Sequence, residues 1–212
     1  MINVEKVSFA YPNAEKDVLF DFSASFKHGE IVAVTGKNGC GKTTLTKLLA
    51  GMLRPSSGLV TIDGVNALNM DLFEIGQRVG YVFQNPNRQL FCDTVYNEVA
   101  FGLRNMGHSE TQTKEKATHF LSHFGLSSYR ETYPGNLSHG EKQRLALAAV
   151  LALGTGYLVL DEPTTGLDKR RQRELGETLL ETKQELNCGI VFVSHEADFI
   201  AAFADRQVVM PL

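Results

Sequence analysis

The segment Gly36–Thr43, GKNGCGKT, carries three glycines, a lysine and a hydroxyl in the spacing G-x-x-x-x-G-K-[ST]. Residue types in that order suit a loop that wraps phosphate. Gly36, Gly39 and Gly41 let backbone N–H groups turn inward on phosphate oxygens. Lys42 sets a positive charge against β- and γ-phosphates, and the Thr43 hydroxyl is placed to reach Mg2+. A second piece, YLVLDE (Tyr157–Glu162), is an apolar run that ends in two acids. There Asp161 would hold Mg2+ and Glu162 would polarise an attacking water. The two pieces together imply nucleotide phosphate chemistry and no more. Kinases, GTPases, helicases and transport ATPases all remain open.

A third stretch, NLSHGEKQRLALAAVLAL (Asn136–Leu153), admits three readings. Ser138 beside His139 suggests a nucleophile and its base. Ser-x-x-Glu ahead of an apolar run is also the capping box that starts a helix. A helix start can in turn hold an anion, because its free N–H groups and dipole point outward.

These groups need rigid elements behind them. INVEKVSF and DVLFDFSASF alternate as half-buried strands do. GEIVAVTG is a short β-branched run, followed by a helix pattern from Lys42 to Ala50. GLVTID and VGYVF read as strands, and the stretch from about Val95 to Leu153 as mostly helix. Then come strand YLVLDE, helix DKRRQRELGETLLETKQEL, strand GIVFVS, helix EADFIAAFA and strand RQVVM. Strand–helix alternation at both ends implies a mainly parallel α/β core, with the helical middle as an insert.

Composition narrows the setting. A chain of 212 residues is long enough for one domain with a real core. A net charge of −3 offers no electrostatic footprint for nucleic acid. Cys40, Cys92 and Cys188 are scattered and form no C-x-x-C pair, so a reducing compartment is the simpler reading. The mixed N-terminus MINVEKVSFAYPN does not read as a signal peptide, and the longest apolar run, Leu145–Leu153, is too short to span a bilayer. Cys40 sits inside the phosphate loop at a helix start, a setting that favours reactive thiols.

Further pieces follow in a set order: Gln84 after GYVF, LSHGEKQR ahead of the Asp161 strand, PTTGLD (Pro163–Asp168) after it, and His195 in VFVSHE. In this order and spacing nearly the whole chain resembles the nucleotide-binding subunit of an ATP-binding cassette (ABC) transporter. The resemblance implies a P-loop NTPase fold across a single domain, 1–212. That fold has a mainly parallel sheet, an N-terminal antiparallel β part and an α-helical subdomain inserted at about 85–152. It implies an ATPase that uses ATP and Mg2+. Tyr11 would stack on adenine. Asn38, Gly39, Cys40, Gly41, Lys42, Thr43 and Thr44 would hold the nucleotide, and Thr43, Gln84 and Asp161 the Mg2+. Glu162, His195 and Gln84 would be catalytic, with His195 on the γ-phosphate.

In such proteins the active unit is a head-to-tail pair. Each ATP would lie between the phosphate loop of one subunit and Ser138, His139, Gly140 and Glu141 of the other, a second copy or a related ATPase. Asp168 would stand at the seam.

The segment VFQNPNRQLFCDTVYNEVAFGLRNMG is similar to the energy-coupling factor (ECF) class of importers, which take up vitamins and transition-metal ions. That likeness implies a membrane T subunit, a substrate-binding S subunit, and a peripheral position at the cytoplasmic face. Leu90, Phe91, Val95, Val99, Phe101 and Leu103 give an apolar stretch beyond Gln84 that suits a groove for a partner helix, with about half of these side chains packing the helical subdomain instead. Two departures stand out. The family's LSGGQ is LSHGE here, with His139 for a glycine and Glu141 for glutamine, the glutamate being the milder change. The sequence also ends at Leu212, where family members usually continue. A trimmed form, a short form and half of a tandem protein are all compatible with that.

Overall fold

The computed structural model describes residues 1–212 except Asn13, Glu15 and Leu212. The chain opens with β1 (Ile2–Phe9), β2 (Leu19–Phe26), β3 (Ile31–Thr35) and α1 (Lys42–Leu49). β4 (Ser57–Ile62), β5 (Val65–Asn66), α2 (Leu72–Gly76) and β6 (Val79–Val82) follow. Three helices then run in succession: α3 (Val95–Asn105), α4 (Glu110–His123) and α5 (His139–Leu151). The chain returns through β7 (Tyr157–Asp161), α6 (Lys169–Leu186), β8 (Gly189–Val193), α7 (Ala197–Phe203) and β9 (Arg206–Val209).

Two sheets result. β2-β1-β4-β5 is antiparallel, and β6-β7-β8-β3-β9 is parallel. β3, β7 and β8 are buried along their length, apart from Thr35 at the end of β3, because the parallel sheet is covered on both faces. Side chains alternate between the two coverings. Ile31, Ala33, Leu158, Leu160, Ile190 and Phe192 pack with the helices α3, α5 and α6. Val32, Val34, Val159, Val191 and Val193 face α1 and the antiparallel sheet.

The expected alternation in β1 and β2 is broken. Ile2 and Val4 are buried, then Val7 and Phe9, so an extra residue stands between the pairs. Lys6 has φ 48° at that point and Asp21 has φ 47° in β2, each marking a bulge. Gly58 on β4 meets the Lys6 bulge so closely that a Cβ would lie 2.3 Å from the Lys6 carbonyl oxygen. In β2 the bulge turns Leu19 and Phe22 inward and leaves Phe20 on the outer face, 75% exposed. The short β5 and α2 carry no periodicity that the sequence could reveal, and α2 is started by the Asp71–Glu74 capping box.

β3, β7 and β8 point the same way, so their C-terminal ends share one edge of the sheet. That edge receives the phosphate loop, the Asp161–Glu162 pair and His195. Among the described residues, no helix is long and apolar enough to cross a membrane.

Candidate functional site

A cleft of about 800 Å3 opens at this sheet edge. Tyr11, Asn38, Gly39, Gly41, Lys42, Thr43, Thr44, Gln84, Glu162 and His195 line it together. Gly36, Gly39 and Gly41 all have positive φ, at 147°, 83° and 93°, which lets the loop wind inward. Gly41 also has no room for a side chain, since a Cβ would lie 2.9 Å from Leu19. Lys42 is buried, and its Nζ donates to the carbonyls of Gly36 and Lys37 at 3.0 Å each. The ammonium is thus held under its own loop, facing the space the loop encloses. Tyr11 is partly exposed, edge-on to Phe9, and its hydroxyl pairs with Thr44 Oγ1 at 3.2 Å.

On the next strands, Thr43 Oγ1 donates to Asp161 Oδ1 at 3.1 Å. Burial pushes the Asp161 carboxyl above the usual range, and the bonds from Thr43 and Tyr81 pull it back. Glu162 follows with φ 51°, a left-handed conformation that is costly for a residue with a Cβ. Its Oε1 lies 3.1 Å from His195 Nε2. Its side chain is 15% exposed, whereas that of His195 is 50% exposed. Burial raises the Glu162 carboxyl, partly offset by His195.

The donor set suits Mg2+: Thr43, Asp161 and Gln84 each offer an oxygen ligand at the edge of the phosphate loop. A hard cation that keeps waters and phosphate oxygens needs few protein ligands.

Sequence reasoning missed Tyr81. Its hydroxyl donates to Asp161 Oδ2 at 3.4 Å and pairs with Thr46 Oγ1 at 3.2 Å, so it holds the second carboxylate oxygen. The available signal was a tyrosine inside an otherwise apolar buried strand, which must find a polar partner.

The LSHGE segment is placed differently. Ser138 caps α5 in a full capping box with Glu141. Glu141 Oε2 accepts from the Ser138 N–H and hydroxyl, both at 2.7 Å, and these bonds hold its carboxyl down at about 2. Glu141 thus sets a negative charge at the helix start and engages the Ser138 hydroxyl. His139 is no base for Ser138. It lies against Gly166, where a Cβ would be 3.4 Å from its ring, and lines a neighbouring cleft with Gln84 and Asp161 of its own chain. Ser138, Gly140 and Glu141 do not line the nucleotide cleft. Asp168 caps α6, accepting from Arg171 N at 2.9 Å.

The match to known families agrees with this geometry. The model of the ABC transporter family matches residues 19–165. The chain belongs to the ABC transporter family. The match spans the phosphate loop, the LSHGE helix start and Asp161–Glu162, and leaves Tyr11 and His195 to either side. As a cassette of this family the chain is an ATP-binding ATPase. It is 41% identical over 212 residues to the energy-coupling factor transporter ATP-binding protein EcfA of Methanothermobacter thermautotrophicus, covering 99% of this chain and 68% of that one. Its structure is similar to that of cbiO1 from Clostridium perfringens, part of the ABC transporter complex cbiONQ. That match has TM-score 0.86 and 33% identity, and covers 99% of this cassette and 84% of that chain. It is also similar to a dimeric ATP-binding cassette in a post-hydrolysis state bound to ADP and Pi. There the TM-score is 0.89 at 25% identity, covering 99% and 94% of the two chains.

Cys40 does not line the cleft; its sulfur lies beneath the loop, 2.7 Å from where a Gly36 Cβ would be. The other two thiols are held protonated: burial and Glu98 push Cys92 up to about 11, and burial pushes Cys188 up to about 12. N-ethylmaleimide is therefore expected to modify Cys40 first, prise the loop open and block ATP binding, with Mg-ATP protecting. Equal sensitivity of Cys40→Ser in a nucleotide-binding assay would rule this out.

Proposed function

We propose that this cassette is the ATP-hydrolysing subunit of an ECF-type importer, powering uptake of a vitamin or transition-metal ion. The observation that carries the chemistry is the convergence of Lys42, Thr43 and the Glu162–His195 pair on one cleft, with Asp161 bonded to Thr43 from the adjoining one. Tyr11 offers its ring to adenine, and Asn38 to Thr44 offer the loop's N–H groups to phosphate. Lys42 offsets charge on the β- and γ-phosphates. Thr43, Asp161 and Gln84 would hold Mg2+, which when bound offsets phosphate charge. The Glu162 carboxylate takes a proton from water as the water oxygen bonds to the γ-phosphorus and the bond to ADP breaks. His195 orients Glu162 and meets the γ-phosphate. Ser138 and Gly140 would face the γ-phosphate of ATP held by a second ATPase subunit, with Asp168 at the seam.

Peripheral attachment at the cytoplasmic face would come through the T subunit, working with an S subunit. The relevant surface is the part of the Leu90–Leu103 stretch that stays outside. Val95, Val99 and Leu103 recur every fourth residue and face the core. Phe91 and Phe101 stay outside, 67% and 45% exposed, with rings edge-to-face at 4.9 Å. Buried Glu98 pins this corner by accepting the Phe91 and Cys92 N–H groups at 3.0 and 2.8 Å. Phe91→Asp is expected to abolish co-purification of the membrane subunit while ATP binding persists. Full retention of that subunit would overturn the docking assignment.

A second reading rests on His139. The cassette would bind ATP while a partner ATPase, with an unmodified signature, does most turnover. In the assembled complex, His139→Gly is then expected to raise the ATPase rate about tenfold, by letting a helix-start N–H approach the phosphate for one more charge-assisted hydrogen bond. An unchanged rate would sink this second reading.

A further inference from the structure

Away from the nucleotide cleft, a separate chamber of about 300 Å3 lies between the end of α4, the first half of α5 and the first half of α6. Its size is at the lower end of ordinary ligand pockets. Phe124, Leu147, Leu167 and Leu175 make it apolar on one side, and Gln143, Arg144 and Arg171 bring polar groups to it. Gln143 is 1% exposed, and neither its Oε1 nor its Nε2 has a hydrogen-bond partner among the described residues. A buried amide with both ends unmet is destabilising and uncommon in a protein interior.

The arginines here are loosely matched: Glu141 feels Arg144 through space, with no hydrogen bond between them. Arg144 is fixed by one bond, from Nε to the Phe124 carbonyl at 3.0 Å, and the rest of its donor fork is unmatched among the described residues. Arg171 keeps only a loose 3.8 Å pair with Asp168. Glu174, the acid on this wall, is drawn off to Arg170 at 2.9 Å. His123 and Thr178 face one another at 3.4 Å.

We propose that this chamber binds a small organic anion. The occupant would have an apolar body of one or two rings, a carboxylate, sulfonate or phosphate for Arg144 and Arg171, and an N–H or carbonyl for Gln143. It also has a route to the chemistry. Arg171 Nη1 lies 2.7 Å from the position a Gly140 Cβ would take, so the chamber wall touches the start of α5. α4 and α5 form one side and α6, with Leu167 ahead of it, the other. An occupant thus fixes Ser138–Glu141 relative to Pro163–Asp168, and with them the rate of ATP turnover.

8-Anilinonaphthalene-1-sulfonate is a slightly larger probe of the same kind: an apolar body of a naphthalene and a phenyl ring, a sulfonate and one N–H. Titrated into the intact chain, it is expected to bind one saturable site with a rise in fluorescence. Gln143→Leu keeps the bulk and removes the amide, and is expected to weaken the probe about tenfold. Arg144→Met is expected to weaken it at least about tenfold, through loss of a charge-assisted contact. Both are to be read beside Mg-ATP affinity, which reports an intact fold. Saturating probe is expected to change ATP turnover in the unaltered chain and not in Gln143→Leu. Non-saturable binding, or equal probe affinity in Gln143→Leu, overturns the site. Saturation with unchanged turnover overturns its control of the ATPase. If Arg144→Met does not fold, Gln143→Leu decides alone.

Discussion

Glu162→Gln is expected to lower ATP turnover by about 10^2- to 10^4-fold, the usual worth of a positioned general base. ATP binding persists, because the amide keeps the shape of the side chain and the phosphate loop is untouched. The ATP-bound pair of cassettes should then accumulate, visible as a nucleotide-dependent shift in size-exclusion chromatography. A variant that turns over at the normal rate would show that another group takes the proton. The unaltered chain offers a second check through pH. Burial raises the Glu162 carboxyl above its ordinary range. The active form is the deprotonated one, so the rate falls as pH drops through that raised value, earlier than for a solvent-exposed glutamate. For folding the sign is opposite. The native state holds its proton more tightly than the unfolded chain, so this group's contribution to stability declines as pH rises from the unfolded value through the raised one.

Lys42→Met is expected to weaken ATP binding by about 10- to 100-fold, from loss of charge-assisted contacts. Turnover should fall further, because the same ammonium offsets charge that builds on the γ-phosphate as it transfers. The replacement has a similar stem and loses only the bonds to Gly36 and Lys37. The melting temperature should thus stay near that of the parent, as calorimetry would show. Full-strength ATP binding by a well-folded Lys42→Met would place the phosphates elsewhere.

What the sequence could and could not reveal follows from distance along the chain. The phosphate loop, the buried strands and the α5 cap were readable because each is a local pattern: glycine spacing, β-branched runs, Ser-x-x-Glu. Tyr81 was not, since its partner Asp161 is 80 residues away and only the pairing of β6 with β7 brings them together. The bulges at Lys6 and Asp21 escaped for a related reason. They are set by how β1 meets β2 and β4, and neither residue type announces a positive φ. Which half of the Leu90–Leu103 apolar stretch packs inward was not legible, because hydrophobicity does not say which way a helix faces. α3 faces the core through Val95, Val99 and Leu103, and Phe101 alone of its large apolar residues is strongly exposed. The charge on Glu141 is a matter of geometry too. That its carboxylate closes on Ser138 is seen only once the helix start is formed.

The Asp21 bulge has a consequence for how the protein behaves in a crowded solution. β2 is an edge strand of eight residues, with Phe20 facing outward. A regular strand of that length and character would offer its unpaired N–H and C=O groups as a template for a stray strand from another molecule. The extra residue interrupts the repeat midway and increases the local twist, so a flat incoming strand loses register within a few residues. An apolar ring can therefore sit at the rim of the sheet without seeding fibrous growth.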